Sequence, residues 1–272
     1  MMRKYILACL VTLTVVFLGC KTNSITGRNQ LSLVSDADVL TAATSEYKQF
    51  LSANKIIFPN SGNTDATSVK RVGNRIIAAV KKYYADNGKT SELEGYNWEI
   101  NTVSSKEANA WCMPGGKIVV YTGILPLTQN DAALAVVIGH EVTHALAKHG
   151  NERMSQGLLQ QVGGLALSVA LANKPQQTQA LYNSAYGLGT QYGIMLPFAR
   201  KDEYEADKFG LMFTALAGYD PRESIRFWQR MASASANNQK PPEFASTHPT
   251  DENRIAQLQS IMNETVKKYY RP

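Results

Sequence analysis

The chain has 272 residues, of which 28 are Lys or Arg and 22 are Asp or Glu, so its formal net charge is +6. The basic residues are scattered and form no recognised nucleic-acid-binding motif, so we expect no nucleic-acid partner. This length accommodates one domain with a full hydrophobic core, and three cysteines do not supply a disulfide framework.

The first nineteen residues have the layout of a secretory signal. A basic start over 1–4 is followed by an apolar run over 5–18 and then by Gly19-Cys20. The run is short for a membrane span, and a cysteine behind a small residue is typical of bacterial lipoproteins. We therefore expect a signal peptide over 1–19 and acylation of Cys20. An uncleaved N-terminal anchor is the alternative.

The remaining chain divides into a tether and one domain. Residues 20–34 are polar and rich in turn formers, which favours a tether, and residues 35–272 are expected to form a single domain. Helical periodicity and capping residues predict helices over 35–54, 65–84, 130–150, 157–172, 199–217 and 250–270, and Asp220-Pro221 opens a further helix. Short apolar runs predict strands over 98–103, 109–112 and 117–122. The predicted fold class is α+β and mainly α-helical, with a small antiparallel sheet before the helix over 130–150.

The strand that begins at Asn109-Ala110-Trp111 is a candidate for binding a polypeptide. An exposed strand can pair with an extended peptide through backbone hydrogen bonds, while side-chain pockets provide specificity. An ordinary sheet edge has the same sequence signature, and both interpretations remain open at this stage.

The helix over 130–150 carries the clearest chemical motif, His140-Glu141-Val142-Thr143-His144. Residues four apart lie on the same face of a helix, so His140 and His144 can bind one metal ion. Glu141 is offset by about 100° and can hold and deprotonate a water molecule on that metal. This H-E-x-x-H spacing is typical of zinc hydrolases; two histidines that merely flank a glutamate are the alternative.

A catalytic zinc usually has three protein ligands, so a third must be found. His149 lies nine residues after His140 and therefore about 180° around the helix, which favours a histidine at the helix C-terminus. Glu203 and Asp207 share a helix face, so that one carboxylate could bind the metal and the other could orient a ligand imidazole. A solvated acidic helix would have the same spacing, and the residues alone do not decide between them.

These motifs resemble the HtpX-like and CaaX-prenyl-protease-like zinc metallopeptidases, specifically their soluble periplasmic lipoprotein branch. The resemblance covers nearly the whole mature chain. It includes the HEVTH motif and further segments: Ile25-Thr26-Gly27-Arg28, Asn109-Ala110-Trp111, Pro114-Gly115-Gly116, Glu203-Tyr204-Glu205-Ala206-Asp207, and Ser246-Thr247-His248-Pro249 with Arg254-Ile255. It implies a zincin-like fold and one Zn²⁺ per chain held by His140, His144 and Glu203, with Asp207 as the partner of a ligand.

The resemblance also implies peptide-bond hydrolysis. Glu141 is expected to take a proton from the attacking water and pass it to the leaving amine. The family pattern places a histidine at position 248, so His248 is expected to stabilise the tetrahedral intermediate. The same imidazole could instead occupy the place of the water and keep the enzyme latent, or could simply cap the chain before Pro249. Arg254 could hold a carboxylate near the site or lie in solvent.

From the family and the lipoprotein signal we expect a lipid-anchored protein of the bacterial cell envelope, with its domain in the periplasm and its anchor at Cys20 in the outer membrane. The expected substrates are unfolded or misassembled envelope proteins. The alternative is an envelope chaperone or adaptor that binds unfolded segments along its exposed strand and holds zinc structurally or in a latent site.

Overall fold

A computed structural model describes residues 19–59, 62–172, 176, 196–237, 242–248 and 252–271. The residues of the predicted signal up to position 18 lie outside this range. The chain divides into two compact units, one formed by Met1–Val39 and Lys148–Asp202 and the other by Leu40–Ala147 and Glu203–Pro272. Within the described ranges, every helix is too short or too polar to cross a lipid bilayer.

The first unit contains a hairpin where the sequence predicts a tether. Strands β1 (Cys20–Thr22) and β2 (Asn29–Leu31) pair antiparallel. Arg28 lies beside this pair and binds two buried carboxylates, with Nη1 2.6 Å from Glu152 Oε1 and Nη2 3.2 Å from Asp202 Oδ1. Arg28 thus ties the hairpin to both carboxylates, and the predicted tether over 20–34 and the predicted domain over 35–272 stay predictions.

Among the described residues, the predicted helices lie in the predicted order with some differences in their bounds. The described helices are α1 (Asp36–Ala53), α2 (Thr64–Asp86), α3 (Leu125–Thr128), α4 (Asp131–Leu146), α5 (His149–Leu171), α6 (Leu196–Leu216), α7 (Glu223–Asn237), α8 (Glu243–Thr247) and α9 (Glu252–Tyr269). The two short helices α3 and α8 were not predicted. Short 3₁₀ turns cover Thr90–Leu93 and Thr122–Ile124. The prediction of a helix-rich α+β fold is confirmed.

The predicted helix over 130–150 ends early, at Leu146, and the next helix begins at His149. Lys148 between them has a φ of 57°, the left-handed conformation that commonly ends a helix. Glycine usually takes that position, and the nearest glycine, Gly150, lies two residues later; this is why the sequence suggests the wrong boundary. His149 is therefore not at a helix C-terminus but starts α5, where it is buried in the first unit with Nε2 3.7 Å from Asp202 Oδ1.

The sheet of the second unit is mixed, which corrects the predicted antiparallel sheet. Its strands are β3 (Ile56–Ile57), β4 (Glu99–Val103), β5 (Ala110–Met113) and β6 (Lys117–Tyr121), in the order β3-β4-β6-β5. The turn between β5 and β6 makes an antiparallel hairpin, as predicted, but β6 lies next to β4 and runs parallel to it. Since β5 lies outside β6, it occupies an edge of the sheet.

The core of the second unit forms between this sheet, α2 and α4, which pack against one another. The apolar stripe of α2 that the periodicity predicts is buried throughout: Val69, Val72, Ile76, Ile77 and Val80. Helix α4 is buried all round from Ala133 to Leu146, as expected of a helix with apolar residues on every side. Each buried aliphatic side chain contributes about 1.5–3 kcal/mol, so α4 is held rigidly.

Candidate metal centre

Helix α4 places the two motif histidines side by side. The side chain of Asn130 caps its N-terminus by accepting a hydrogen bond from the Ala133 backbone N–H at 2.9 Å. The Nε2 atoms of His140 and His144 lie 3.1 Å apart, and both side chains are buried. The prediction that these imidazoles share a helix face is confirmed.

Helix α6 brings Glu203 to this pair because the two helices approach each other at glycines. A Cβ atom on Gly210 would lie 2.9 Å from the backbone nitrogen of His140, and one on Gly139 would lie 2.8 Å from the Gly210 carbonyl oxygen. This close approach sets Glu203 Oε2 3.3 Å from His140 Nε2 and Glu203 Oε1 3.3 Å from His144 Nε2. The carboxylate, sixty-three positions after His140 in the sequence, thus faces both imidazoles.

His248 completes the group. Its Nδ1 atom lies 2.9 Å from Glu203 Oε2 and 3.2 Å from His140 Nε2, and its side chain is largely buried. The chain places this histidine directly after the short helix α8. The structure therefore brings His140, His144, Glu203 and His248 together, with possible ligand atoms all within 4.8 Å of one another.

The spacing of these atoms fits a zinc ion. Tetrahedral zinc with bonds of about 2.0–2.1 Å keeps its ligand atoms about 3.3–3.4 Å apart. The distances above range from 2.9 to 3.3 Å, so a small expansion of the cluster accommodates the ion. Two imidazoles and a carboxylate are also the ligand set of many zinc peptidases.

Asp207 and Arg254 form a second layer around the ligands. Asp207 Oδ1 lies 3.0 Å from His140 Nδ1, so a proton on Nδ1 donates to the carboxylate and leaves Nε2 free for a metal. Arg254 donates from Nε to Asp207 Oδ2 at 2.7 Å and from Nη2 to Asp207 Oδ1 at 2.8 Å, and its Nη1 lies 3.1 Å from Glu203 Oε2. The guanidinium carbon lies 3.6 Å from the centre of the Trp228 ring.

The electrostatics of the cluster favour charged forms that attract one another. Burial alone lowers the pKa of His140, but hydrogen bonds with Asp207 and Glu203 outweigh it and raise this pKa to about 9. Burial raises the pKa of Glu203, yet its bonds with His140, His144 and His248 lower it well below the usual range. Asp207 also has a lowered pKa, because Arg254 and His140 outweigh its burial. Both carboxylates are thus anionic, as metal binding requires, whereas His140 must release the proton on Nε2 before that atom can bind a metal.

Glu141 has a different environment. Burial raises its pKa, and the nearby His248 and His140 oppose this effect. Its Oε1 atom is buried and lies 3.3 Å from His248 Nε2 without hydrogen-bond geometry, so this oxygen has no hydrogen-bond partner among the described residues. A buried carboxylate oxygen beside the proposed ligand atoms that accepts no hydrogen bond from the described residues is well suited to hold and deprotonate a water molecule.

The predicted substrate strand lies on the edge of the sheet and packs against α4. Ala110 is buried and pairs with Val120, and the Trp111 ring meets the Phe50 ring at 4.9 Å. Asn109 precedes β5 and accepts a backbone hydrogen bond on its side chain. Substrate binding at these residues stays a prediction, as does acylation of the exposed Cys20 at the start of β1.

One part of the site was left open by the sequence and two were not identified from it. For Arg254 the sequence allows either a contact with a carboxylate near the site or a place in solvent, and the structure buries it against Glu203 and Asp207. Trp228 and Phe244 were overlooked, although their rings lie 6.1 and 6.3 Å from the His140 ring. The one sequence signal for Phe244 is its spacing: it lies four residues before His248, which would place both side chains on the same face of a helix.

Comparison with known proteins now settles the family. The model of Peptidase family M48 matches residues 65–262, which is most of the chain and includes the whole ligand cluster. The chain belongs to peptidase family M48. The predicted membership of a metallopeptidase family is therefore confirmed.

The relatives are metallopeptidases of two kinds. The mitochondrial metalloendopeptidase OMA1 of Schizosaccharomyces pombe is 31% identical over 83% of this chain and 61% of that protein. Human OMA1 is 30% identical over 92% of this chain and 47% of that protein. The beta-barrel assembly-enhancing protease of Escherichia coli is 27% identical over 60% of this chain and 34% of that protein. This M48 chain thus spans between about a third and three fifths of these relatives.

This comparison contradicts the predicted location at a bacterial outer membrane. The relatives that match over more than four fifths of the chain, from yeast, human, cattle and zebrafish, are mitochondrial by name. That prediction rested on the resemblance to a periplasmic lipoprotein branch and on the apolar run before Gly19-Cys20, and neither signal assigns a compartment when relatives of the same family are found in mitochondria. The location prediction is therefore wrong.

Proposed function

We propose that this M48 chain is a zinc-dependent endopeptidase that cleaves unfolded or misassembled polypeptides. The observation that carries the proposal is the meeting of His140, His144 and Glu203 close to tetrahedral ligand spacing, beside a Glu141 oxygen that has no hydrogen-bond partner among the described residues. One zinc ion per chain fits this cluster. The edge strand β5 supports an extended polypeptide as substrate, because its outer side has no neighbouring strand in the described part of the chain.

Each residue has a distinct task in this proposal. A Zn²⁺ ion held by His140, His144 and Glu203 would supply Lewis-acid activation of water and of the scissile carbonyl. Glu141 accepts the proton of the attacking water, and its raised pKa brings its basicity closer to neutral pH than that of an ordinary carboxylate. It then delivers the proton to the leaving amine. Asp207 fixes the orientation of His140 through the Nδ1 contact.

His248 has two possible tasks, and the observed geometry favours latency. Its Nδ1 atom lies at ligand distance from His140 Nε2 and Glu203 Oε2, where it would occupy the place that a catalytic site keeps for water. In that position it blocks the site. After it moves away, the same imidazole would be available to donate a hydrogen bond to the tetrahedral intermediate.

The test uses the full-length chain with an unfolded casein-type substrate. We expect about one zinc per chain by elemental analysis, cleavage that a chelator abolishes, and recovery when zinc is restored. If His248 enforces latency, His248→Ala raises the initial rate; if it only stabilises the intermediate, the same change lowers it. Cleavage that persists after complete removal of metal would contradict the proposed enzyme class.

A chaperone or adaptor is the second candidate, since the edge position of β5 would also suit polypeptide binding, and four possible ligands would also suit a structural or latent zinc site. The two functions differ in their need for Glu141. A chaperone retains its function when Glu141 becomes glutamine, whereas an endopeptidase does not.

A further inference from the structure

The short helix α8 places the side chain of Phe244 in an apolar pocket next to the cluster of His140, His144, Glu203 and His248. The ring is fully buried and stacks on Trp228 at a centroid distance of 5.7 Å and an interplanar angle of 25°. It also meets the rings of Phe227 at 6.1 Å and His140 at 6.3 Å. The pocket that holds Phe244 is therefore aromatic and borders a proposed zinc ligand.

The backbone of the same segment bonds to the start of the predicted substrate strand. The Phe244 N–H donates to the carbonyl oxygen of Ala108 at 2.9 Å. Ala108 directly precedes Asn109-Ala110-Trp111, the residues expected to pair with substrate. Ala108 lies two residues before β5 and the bonded N–H belongs to the first turn of α8, so this bond fixes the segment next to the sheet edge.

Four residues after Phe244, His248 reaches the ligand cluster, with its ring 4.5 Å from that of Phe244. The segment 242–248 thus makes three contacts at once: a backbone bond to the residue two positions before β5, an aromatic side chain in a pocket beside His140, and a possible ligand atom in the cluster. A bound polypeptide would make contacts of these same three kinds around the scissile bond.

The stability of α8 depends on these contacts. The helix has five residues, which is far too short to be stable without tertiary support, and no side chain caps its N-terminus. Phe244 is its one buried residue. The aromatic pocket therefore holds the segment in place. Because the pocket binds the phenyl ring of Phe244, it could also bind the aromatic ring of another polypeptide.

We propose that the Phe244 pocket is a substrate subsite for an aromatic or large apolar side chain, and that residues 242–248 occupy it as an internal substrate mimic. This inference rests on the proposed endopeptidase function and adds its substrate preference. The walls of the subsite are Trp228, Phe227 and His140. A polypeptide with a Phe, Tyr or Leu near the scissile bond would compete with Phe244 for this site.

The first experiment measures preference. The full-length enzyme cleaves two peptides that differ only by Phe or Ala at one position near the cleavage site. We expect the Phe peptide to be preferred by on the order of ten- to a hundredfold in kcat/KM. Phe244→Ala should raise the rate on the Phe peptide, because the competing ring is gone; Phe244→Leu keeps an apolar occupant and should raise it less.

The second experiment measures binding without catalysis. A synthetic peptide with the sequence of residues 242–248 is added to the Glu141→Gln, Phe244→Ala variant in which Trp98 and Trp111 are also replaced by Phe, so that the fluorescence of Trp228 alone reports occupation of the pocket. We expect saturable binding that weakens at least tenfold when the peptide carries Ala in place of Phe. Phe213→Ala is the matched control, since Phe213 is equally buried but packs against Tyr83.

The outcomes separate this inference from the proposed function. Cleavage without a preference for large apolar side chains, together with equal binding of the Phe and Ala peptides, would overturn the subsite and leave the endopeptidase intact. Absence of cleavage by every variant would overturn the proposed function, while the fluorescence assay would still decide whether the pocket binds aromatic side chains.

Discussion

Replacing Arg254 by methionine should lower the stability of the folded protein, because two buried carboxylates would lose their positively charged partner. Arg254 is buried and neutralises two buried carboxylates, binding Asp207 through two hydrogen bonds and Glu203 through Nη1 at 3.1 Å. Methionine keeps much of the volume but removes the charge. Removing one partner from a buried ion pair costs about 3–5 kcal/mol, because the remaining charge stays desolvated.

The assay is thermal unfolding of the metal-free protein in the presence of a chelator. In a chain of this size, 1 kcal/mol corresponds to about 2–4 °C in Tm, so Arg254→Met should lower Tm by about 6–20 °C. Arg254→Lys keeps the charge but cannot bind Asp207 through two nitrogen atoms, so its Tm should lie between those of wild type and Arg254→Met. The control is Arg222→Ala, whose exposed pair with Asp220 is screened by water and should leave Tm unchanged. A Tm for Arg254→Met within about 2 °C of wild type would refute the reasoning.

Three further predictions concern helix approach, ligand orientation and pH. Gly210→Ala should destabilise the protein by about 1–3 kcal/mol in urea unfolding and weaken zinc binding, because its Cβ would lie 2.9 Å from the His140 nitrogen, whereas Gly157→Ala enters open space and should not destabilise. Asp207→Asn should weaken zinc binding about 10–100-fold in a competition assay with a metal-binding dye; an unchanged affinity would contradict its orienting role. Burial, which outweighs an opposing hydrogen bond from Asn101, raises the pKa of Tyr47 from 10.0 to about 12, so the folded chain retains a proton that the unfolded chain loses in this range. Stability from this group is therefore present below pH 10 and lost as pH rises towards 12, and Tyr47→Phe should show a smaller loss in alkaline unfolding measurements; an identical slope would contradict it.

The local chemistry of the site is largely predictable from sequence. Helical geometry alone places His140 and His144 on one face and predicts a metal between them. The role of Glu203 cannot be predicted from spacing, because a metal ligand and a solvated carboxylate have the same spacing. The resemblance to a known family is what predicts Glu203 as the third ligand. What brings Glu203 to the histidines is the contact between Gly139 and Gly210, a tertiary feature that no local pattern reveals.

The features that sequence reasoning got wrong depend on conformations with weak local signals. Lys148 adopts a left-handed conformation that usually requires glycine, and this ends α4 earlier than the pattern predicts. The neighbour of β4 is β6 rather than β5, since the turn between β5 and β6 defines one hairpin but not the order of the whole sheet. Phe244 has no local pattern that predicts its burial, because its pocket forms from side chains of α7 and α4 that lie far away in the sequence.

The central claim is that Glu141 performs base catalysis beside a zinc ion held by His140, His144 and Glu203. Its most direct test compares wild type and Glu141→Gln for zinc content and for the rate of cleavage of an unfolded protein. We predict equal zinc content of about one ion per chain and a rate at least a hundredfold lower for the variant, the range typical of a lost general base. Cleavage by Glu141→Gln at the wild-type rate, with zinc bound, would contradict the account.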